Sequence, residues 1–311
     1  EPLNAVRLAL AGGAATRRSG SPRVLVTGGS GFVGGRLRAA LDGVLYAHAP
    51  ARRDADLIAG AVDLDLLVKE HEINCIVHLA NPRVYTSNRA LGETVSMLRN
   101  TLEVCRSNDV RLVYPSGWEI YSGYRSNELL AHEYVPPFPR GPYGETKVLC
   151  EQLIDIHRTQ YGLRCAVLRS SPLYGRTSDR PKFVYNFLAK ALRGDPIVTH
   201  RYLNGDPHLD LLFVDDFIDA LVRVLRTEFD GSLNIGTGCT VSTREVAEWI
   251  VGECGSPSSV ESRQIDEYAP NIAMDHARAS RELGWRPTTS WRDGLADIIQ
   301  SAGTGAGSAH T

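Results

Sequence analysis

Long apolar runs are missing from this chain: no stretch approaches the ~20 residues that a membrane-spanning helix needs, so membrane insertion is not expected. An excess of one charge is missing as well. The 34 Lys+Arg and 36 Asp+Glu leave a formal charge of −2. The cations form no basic stripe, which argues against a nucleic-acid partner. Six cysteines (Cys75, Cys105, Cys150, Cys165, Cys239 and Cys254) include no C-x-x-C pair, so they read as reduced core thiols. His71, Glu72 and His78 lack the i, i+4 pairing of a zinc helix, and no metal is expected.

What is present has the balance of a soluble globular protein, 43% hydrophobic and 23% charged. The 311 residues suffice for one large α/β domain or a main domain with a smaller partner. Val6 to Ala11 is apolar, but Arg17 and Arg18 follow it rather than precede it, against the order of a secretory signal. A cytoplasmic setting is expected. Residues 1–21 read as an extension and 301–311, SAGTGAGSAHT, as a loose tail.

Short β-branched runs alternate with longer helical patterns through the first half. RVLVT (23–27), VLYA (44–47), CIVHLA (75–80), VRLVYPS (110–116) and RCAVLR (164–169) read as strands. Helical patterns follow RVLVT, run from about Thr86 to Ser107, and resume after Tyr143. This rhythm predicts a doubly wound parallel sheet over 22–170. Beyond 170, loops rich in Pro, Gly and Asp separate helices at 182–193, 215–226 and 243–253, with short strands near 197 and 233. Residues 171–300 are therefore assigned mainly to a smaller substrate-binding lobe at the carboxyl edge of the sheet, where such folds hold ligands. SLNIG (232–236) is a segment that can return to the main sheet.

TGGSGFVGG (27–35) joins the first strand to the first helix and spaces Gly28, Gly31 and Gly34 three apart. Gly28 permits the tight turn, Gly31 admits a diphosphate, and Gly34 allows helix and strand to pack closely, with the helix N-terminus facing the negative charge. A dinucleotide site is expected. Its ribose end is less usual: His48 stands where an acid would bind the 2′-hydroxyl of NAD, and Arg52 and Arg53 follow. Two cations and no acid favour NADP, with NAD the alternative. Asp63, read as following a short strand in VDLDL, is either an adenine-side contact or a helix N-cap.

GPYGETK (141–147) opens an amphipathic helix with Tyr143 and Lys147 four apart, hence on one face. A free phenol has a pKa of about 10, and a neighbouring ammonium together with an oxidised nicotinamide favours the phenolate. Such a tyrosine can exchange a proton with a substrate hydroxyl or carbonyl.

TGGSGFVG, VHLA, LVYPSGWEIYS, PYGETK, SSPLYGR, LLFVDDFIDAL, LNIGTG and RELGWRP occur in an order that resembles the extended short-chain dehydrogenase/reductase family, in its epimerase/dehydratase branch, over about 23–300. The resemblance implies a Rossmann-like domain, an NAD or NADP cofactor, a sugar substrate that is nucleotide-linked, and a homodimer, for which the run Met97 to Arg106 is one candidate surface. It gives Tyr143 and Lys147 the catalytic roles. It also adds Phe32, Val33, Leu64, Leu79, Ala80 and Pro172 to the cofactor contacts.

Departures from the family pattern gather on the sugar side. Gly117 stands where a Ser or Thr usually holds the reacting oxygen, and the adjacent Ser116 is the candidate replacement. Glu119 matches a glutamate that serves as a base in related dehydratases, so it is read as a base or as a substrate hydrogen-bond acceptor; Trp118 replaces the acid beside it. Pro172 and Leu209 replace an asparagine and an arginine that often meet the substrate. Arg176, Arg180, Lys182, Arg201 and His208 are the remaining candidates for its phosphates. The implied reaction is hydride transfer, as an NDP-sugar epimerase or an NDP-4-keto-sugar reductase. A decarboxylase or dehydratase, a reductase of a non-nucleotide carbonyl, and a dinucleotide-binding sensor are the alternatives.

Overall fold

The computed structural model describes residues 21–82, 87–125, 128–178 and 181–306. Most of the N-terminal extension, the end of the tail and Arg180 lie outside them. Along the first half run β1 (Arg23–Thr27), α1 (Phe32–Leu41), β2 (Tyr46–His48), α2 (Val62–Glu70), β3 (Cys75–His78), α3 (Asn88–Asn108), β4 (Arg111–Gly117), a 3-10 turn (Trp118–Tyr121), β5 (Leu129–Ala131), α4 (Pro142–Tyr161) and β6 (Cys165–Ser170). The second half carries β7 (Leu173–Tyr174), α5 (Lys182–Arg193), β8 (Ile197–Arg201), β9 (His208–Leu209), β10 (Leu212–Phe213), α6 (Val214–Leu225), β11 (Gly231–Ile235), β12 (Val241–Ser242), α7 (Thr243–Glu253), β13 (Val260–Gln264), β14 (Ile272–Met274), α8 (Ala277–Leu283) and α9 (Trp291–Ala306).

Six strands form one parallel sheet in the order β2-β1-β3-β4-β6-β11. Their near-continuous apolar runs suit a sheet covered on both faces. One face packs α1 and α6 through Leu37, Leu41, Phe217 and Leu221. The other packs α2, α3 and α4 through Leu64, Leu98, Leu102 and Ile154. Because β1 lies between β2 and β3, successive connections leave it in opposite directions, which opens a crevice at the carboxyl ends of the strands.

Local differences from the sequence reading have local causes. β2 starts at Tyr46 because Val44 and Leu45 donate backbone hydrogen bonds to Leu41 and prolong the turn after α1. α3 starts at Asn88, where the Ser87 hydroxyl accepts from the Ala90 amide as its cap. Asp63 does not follow a strand: it sits inside the first turn of α2, whose buried Leu64 and Val68 are spaced i, i+4. Its cap is Ala61.

The smaller lobe has its own apolar cluster, built by α5, α7 and α9 around Phe187, Val246, Ile250 and Leu295. A four-stranded sheet, β12-β9-β14-β5, bridges the two halves of the chain. No helix among the described residues is long and apolar enough to cross a membrane.

Candidate active site

A cavity of about 700 Å3 opens at the carboxyl ends of the sheet strands. Gly28, Gly31 and Gly34 form one wall with Phe32 and Val33. Gly28 has φ +69°, and a Cβ there would come within 2.7 Å of the Leu79 carbonyl carbon and 2.8 Å of the Ala80 nitrogen. A Cβ on Gly34 would collide with the Gly28 carbonyl oxygen. Side chains are therefore excluded where β1, β3 and the start of α1 converge. The bare backbone and the α1 N-terminus leave a cradle suited to a diphosphate. The residues fit a dinucleotide. Leu79 and Ala80 continue this wall.

Tyr143, Lys147, Ser116, Glu119 and Pro172 line the same cavity, and Lys182 joins them. Gly141 at φ +86° and Pro142 at the first helical position set the entry into α4. Gly144 then lets the helix press on the 3-10 turn, since a Cβ there would stand 2.5 Å from the Glu119 carbonyl oxygen. Lys147 is buried; its Nζ donates to the Pro115 carbonyl at 3.0 Å and to the Tyr114 hydroxyl at 3.3 Å. The same Nζ is 5.6 Å from the centroid of the Tyr143 ring. Burial lowers the lysine pKa, while nearby acidic groups oppose the shift.

Glu119 is partly enclosed, and desolvation pushes its carboxyl up to about 7 against the opposing pull of its own backbone N–H and of Lys147. Its carboxyl folds back over Gly117 so closely that a Cβ on that glycine would overlap Oε2. Ser116 is buried, and its hydroxyl has no protein partner. Beneath this wall, Arg169 on β6 and Glu151 on α4 form a buried pair, with Nη2 and Oε2 2.7 Å apart. Arg169 also donates to the Tyr121 hydroxyl at 2.8 Å.

Other expected contacts stand elsewhere. His48 stacks on His71, ring centroids 4.0 Å apart. Arg52 faces Asp56 at 3.3 Å, and Arg53 faces Asp54 at 3.6 Å, both on the surface. Asp63 is exposed, and Leu64 belongs to the core. Arg176 donates through Nε to Asp297 at 2.7 Å, Arg201 is an exposed residue at the end of β8, and His208 lies on β9; none of the three lines the cavity. His78 is a core residue whose Nδ1 lies 3.1 Å from the Thr27 hydroxyl and 3.2 Å from that of Thr101. Burial depresses its pKa to about 3. No group of three His, Cys, Asp or Glu among the described residues could hold a metal.

Sequence reading passed over Asn81, Thr94 and Ser171 in the cavity wall, although Asn81 directly follows VHLA. It also passed over Arg38 on α1. The Cδ of Arg38 would lie 3.1 Å from a Cβ on Gly29, and Ala49, just beyond β2, would lie 2.6 Å from the same point.

Comparison with known proteins identifies the family. The model of the NAD dependent epimerase/dehydratase family matches residues 24–236. A UDP-glucose 4-epimerase of Mycolicibacterium smegmatis is 29% identical over 317 residues, spanning 89% of this chain and 97% of that protein. Solved structures share the fold. Thermus thermophilus UDP-glucose 4-epimerase in complex with NAD superposes with a TM-score of 0.78 at 23% identity, covering 89% of this chain and 98% of that one. RMD of Pseudomonas aeruginosa, complexed with NADPH, gives 0.78 at 22% identity over 90% and 98%.

Proposed function

The chain belongs to the NAD dependent epimerase/dehydratase family, and from that premise we propose that it is a sugar-nucleotide 4-epimerase. The observation that carries this reading is the shared cavity: Tyr143 and Lys147 face the space bounded by the Gly28 and Gly34 cradle. Gly28, Gly31, Phe32, Val33, Gly34, Leu79 and Ala80 would hold the dinucleotide, with Pro172 on the opposite side. Bound there, the oxidised nicotinamide supplies a hydride acceptor that can return the hydride to either face of a sugar carbon. Tyr143 takes the proton of the sugar hydroxyl at its phenolate oxygen and later gives it back. Lys147, fixed by the Pro115 carbonyl, holds its charge beside that ring and favours the phenolate. Ser116 offers an unengaged hydroxyl in the wall, and Lys182 a cation for the substrate phosphates.

A second reading, net reduction of a 4-keto-sugar nucleotide by NADPH, has its own support. No acid ends β2, and the Arg38 stem and Ala49 both lie beside Gly29, so Arg38 is a cation near the cradle that a 2′-phosphate would meet. Arg52 and Arg53 are further out, engaged with Asp56 and Asp54. Mass spectrometry of the cofactor that co-purifies separates the two: tightly held NAD supports epimerisation, and loosely held NADP supports reduction. Turnover of UDP-, dTDP- and GDP-hexoses and their 4-keto forms tests both readings. Cofactor binding without turnover of any of them sinks both in favour of a sensor.

Homodimerisation is part of the proposal. The Met97 side chain is spent on the chain's own core, but α4 exposes Leu149, Ile156 and Tyr161. Light scattering of the unmodified chain against a Leu149→Glu/Ile156→Glu variant tests it; a monomer in both samples refutes it.

A further inference from the structure

Gly117 ends β4 with extended backbone (φ −149°, ψ 165°), so a side chain there would point to the face opposite that of Ser116. A one-residue shift cannot exchange them without turning the strand over. The space a side chain on Gly117 would occupy is already filled, because the Glu119 carboxyl lies where its Cβ would be. Resting on the family reading above, we propose that Glu119 replaces the hydroxyl this position lacks: its neutral carboxyl donates a hydrogen bond to the sugar oxygen that exchanges its proton with Tyr143.

The surroundings suit a protonated acid. The titratable groups lining the same cavity are Tyr143 and Lys147 from α4, Tyr114 from β4, His78 from β3 and Lys182 from α5. Desolvation outweighs both the hydrogen bond from its own backbone N–H and the attraction of Lys147, and carries Glu119 up to about 7. During oxidation the substrate O–H bond breaks and its proton passes to the Tyr143 phenolate, while the C–H electron pair leaves as hydride to the oxidised nicotinamide. Glu119 neither gains nor loses a proton. Its O–H donates to the new carbonyl oxygen, where negative charge develops on the way back to the alcohol.

Substitutions at 117 and 119 test this, read by kcat and its pH dependence. Glu119→Ala lowers kcat by about 100-fold, the usual loss for one such donor, and Gly117→Ser in the Glu119→Ala background restores at least about ten-fold of it. Gly117→Ser with Glu119 intact displaces the carboxyl from the volume its Cβ takes and so alters the pH profile of kcat. With Glu119 intact, kcat declines as pH rises through about 7, where the carboxyl loses its proton. Glu119→Gln, still a donor, removes that decline. Activity that instead rises through the same pH identifies a base and overturns the inference, as does full activity in Glu119→Ala. Turnover abolished by Tyr143→Phe but indifferent to Glu119 removes this inference alone. Absence of turnover in the unmodified chain removes the proposed hydride-transfer activity with it.

Discussion

The two walls of the cavity are built by different means. At the glycine cradle, backbone packs so closely on backbone that Gly28 and Gly34 tolerate no side chain. Elsewhere in the lining, where Gly117, Glu119, Pro172 and Leu209 lie, side chains set the shape, as the Glu119 carboxyl does over Gly117. A wall made of backbone has few sequence solutions. One made of side chains drawn from a 3-10 turn, a loop after β6 and a short strand has many, and there this chain departs from the family pattern. Cofactor binding and sugar chemistry should therefore fail independently.

Tyr143→Phe is the sharpest cut. It should lower kcat by about 1,000-fold, within the usual span for a positioned acid/base, while cofactor affinity by calorimetry stays within about two-fold; loss of cofactor binding as well would merge the two walls. Breaking the buried pair with Glu151→Ala leaves the Arg169 guanidinium uncompensated. The expected cost is about 3–5 kcal/mol in denaturant unfolding, largely recovered in an Arg169→Met/Glu151→Leu double variant. Gly28→Ala acts on the other wall: at φ +69° with its Cβ 2.7 Å from the Leu79 carbonyl carbon, it should weaken the dinucleotide at least about ten-fold and leave the Tyr143 geometry intact. Crystal structures with calorimetry would decide this.

Arg38→Ala should shift preference from NADP toward NAD by about ten-fold in the ratio of dissociation constants, the worth of about one charge-assisted contact. Arg52→Ala should leave that ratio unchanged. The smallest effect is on stability. Glu119 has a raised value of about 7 when folded against an ordinary 4.5, so its contribution is full below 4.5 and is lost as pH rises through 7. Thermal scans should show a decline on the order of a few degrees across that window, absent in Glu119→Gln.

Strand and helix order, the glycine turn and the Tyr143/Lys147 spacing were legible because each depends on local pattern: buried β-branched runs, three-residue glycine spacing, and an i, i+4 helix face. Asp63 was misread because VDLDL alternates like a strand, whereas Leu64 and Val68 bury one side of a helix. Arg176 could not be assigned from sequence, since its partner Asp297 lies 121 residues away. Arg38 gave no local signal either, because its place beside Gly29 exists only after α1 and β1 have packed. Gly117 and Glu119 were both noticeable as departures or matches. That one fills the volume of the other is a fact of the folded turn.

Strand β11 joins the six-stranded sheet beside β6, and β5 is lent in exchange to the four-stranded sheet beside β14. The halves of this protein are thus woven rather than bolted together, and a recombination breakpoint near 170 would orphan a strand on each side. New specificities in such a lineage would arise more readily by single substitutions within loops than by exchange at that point.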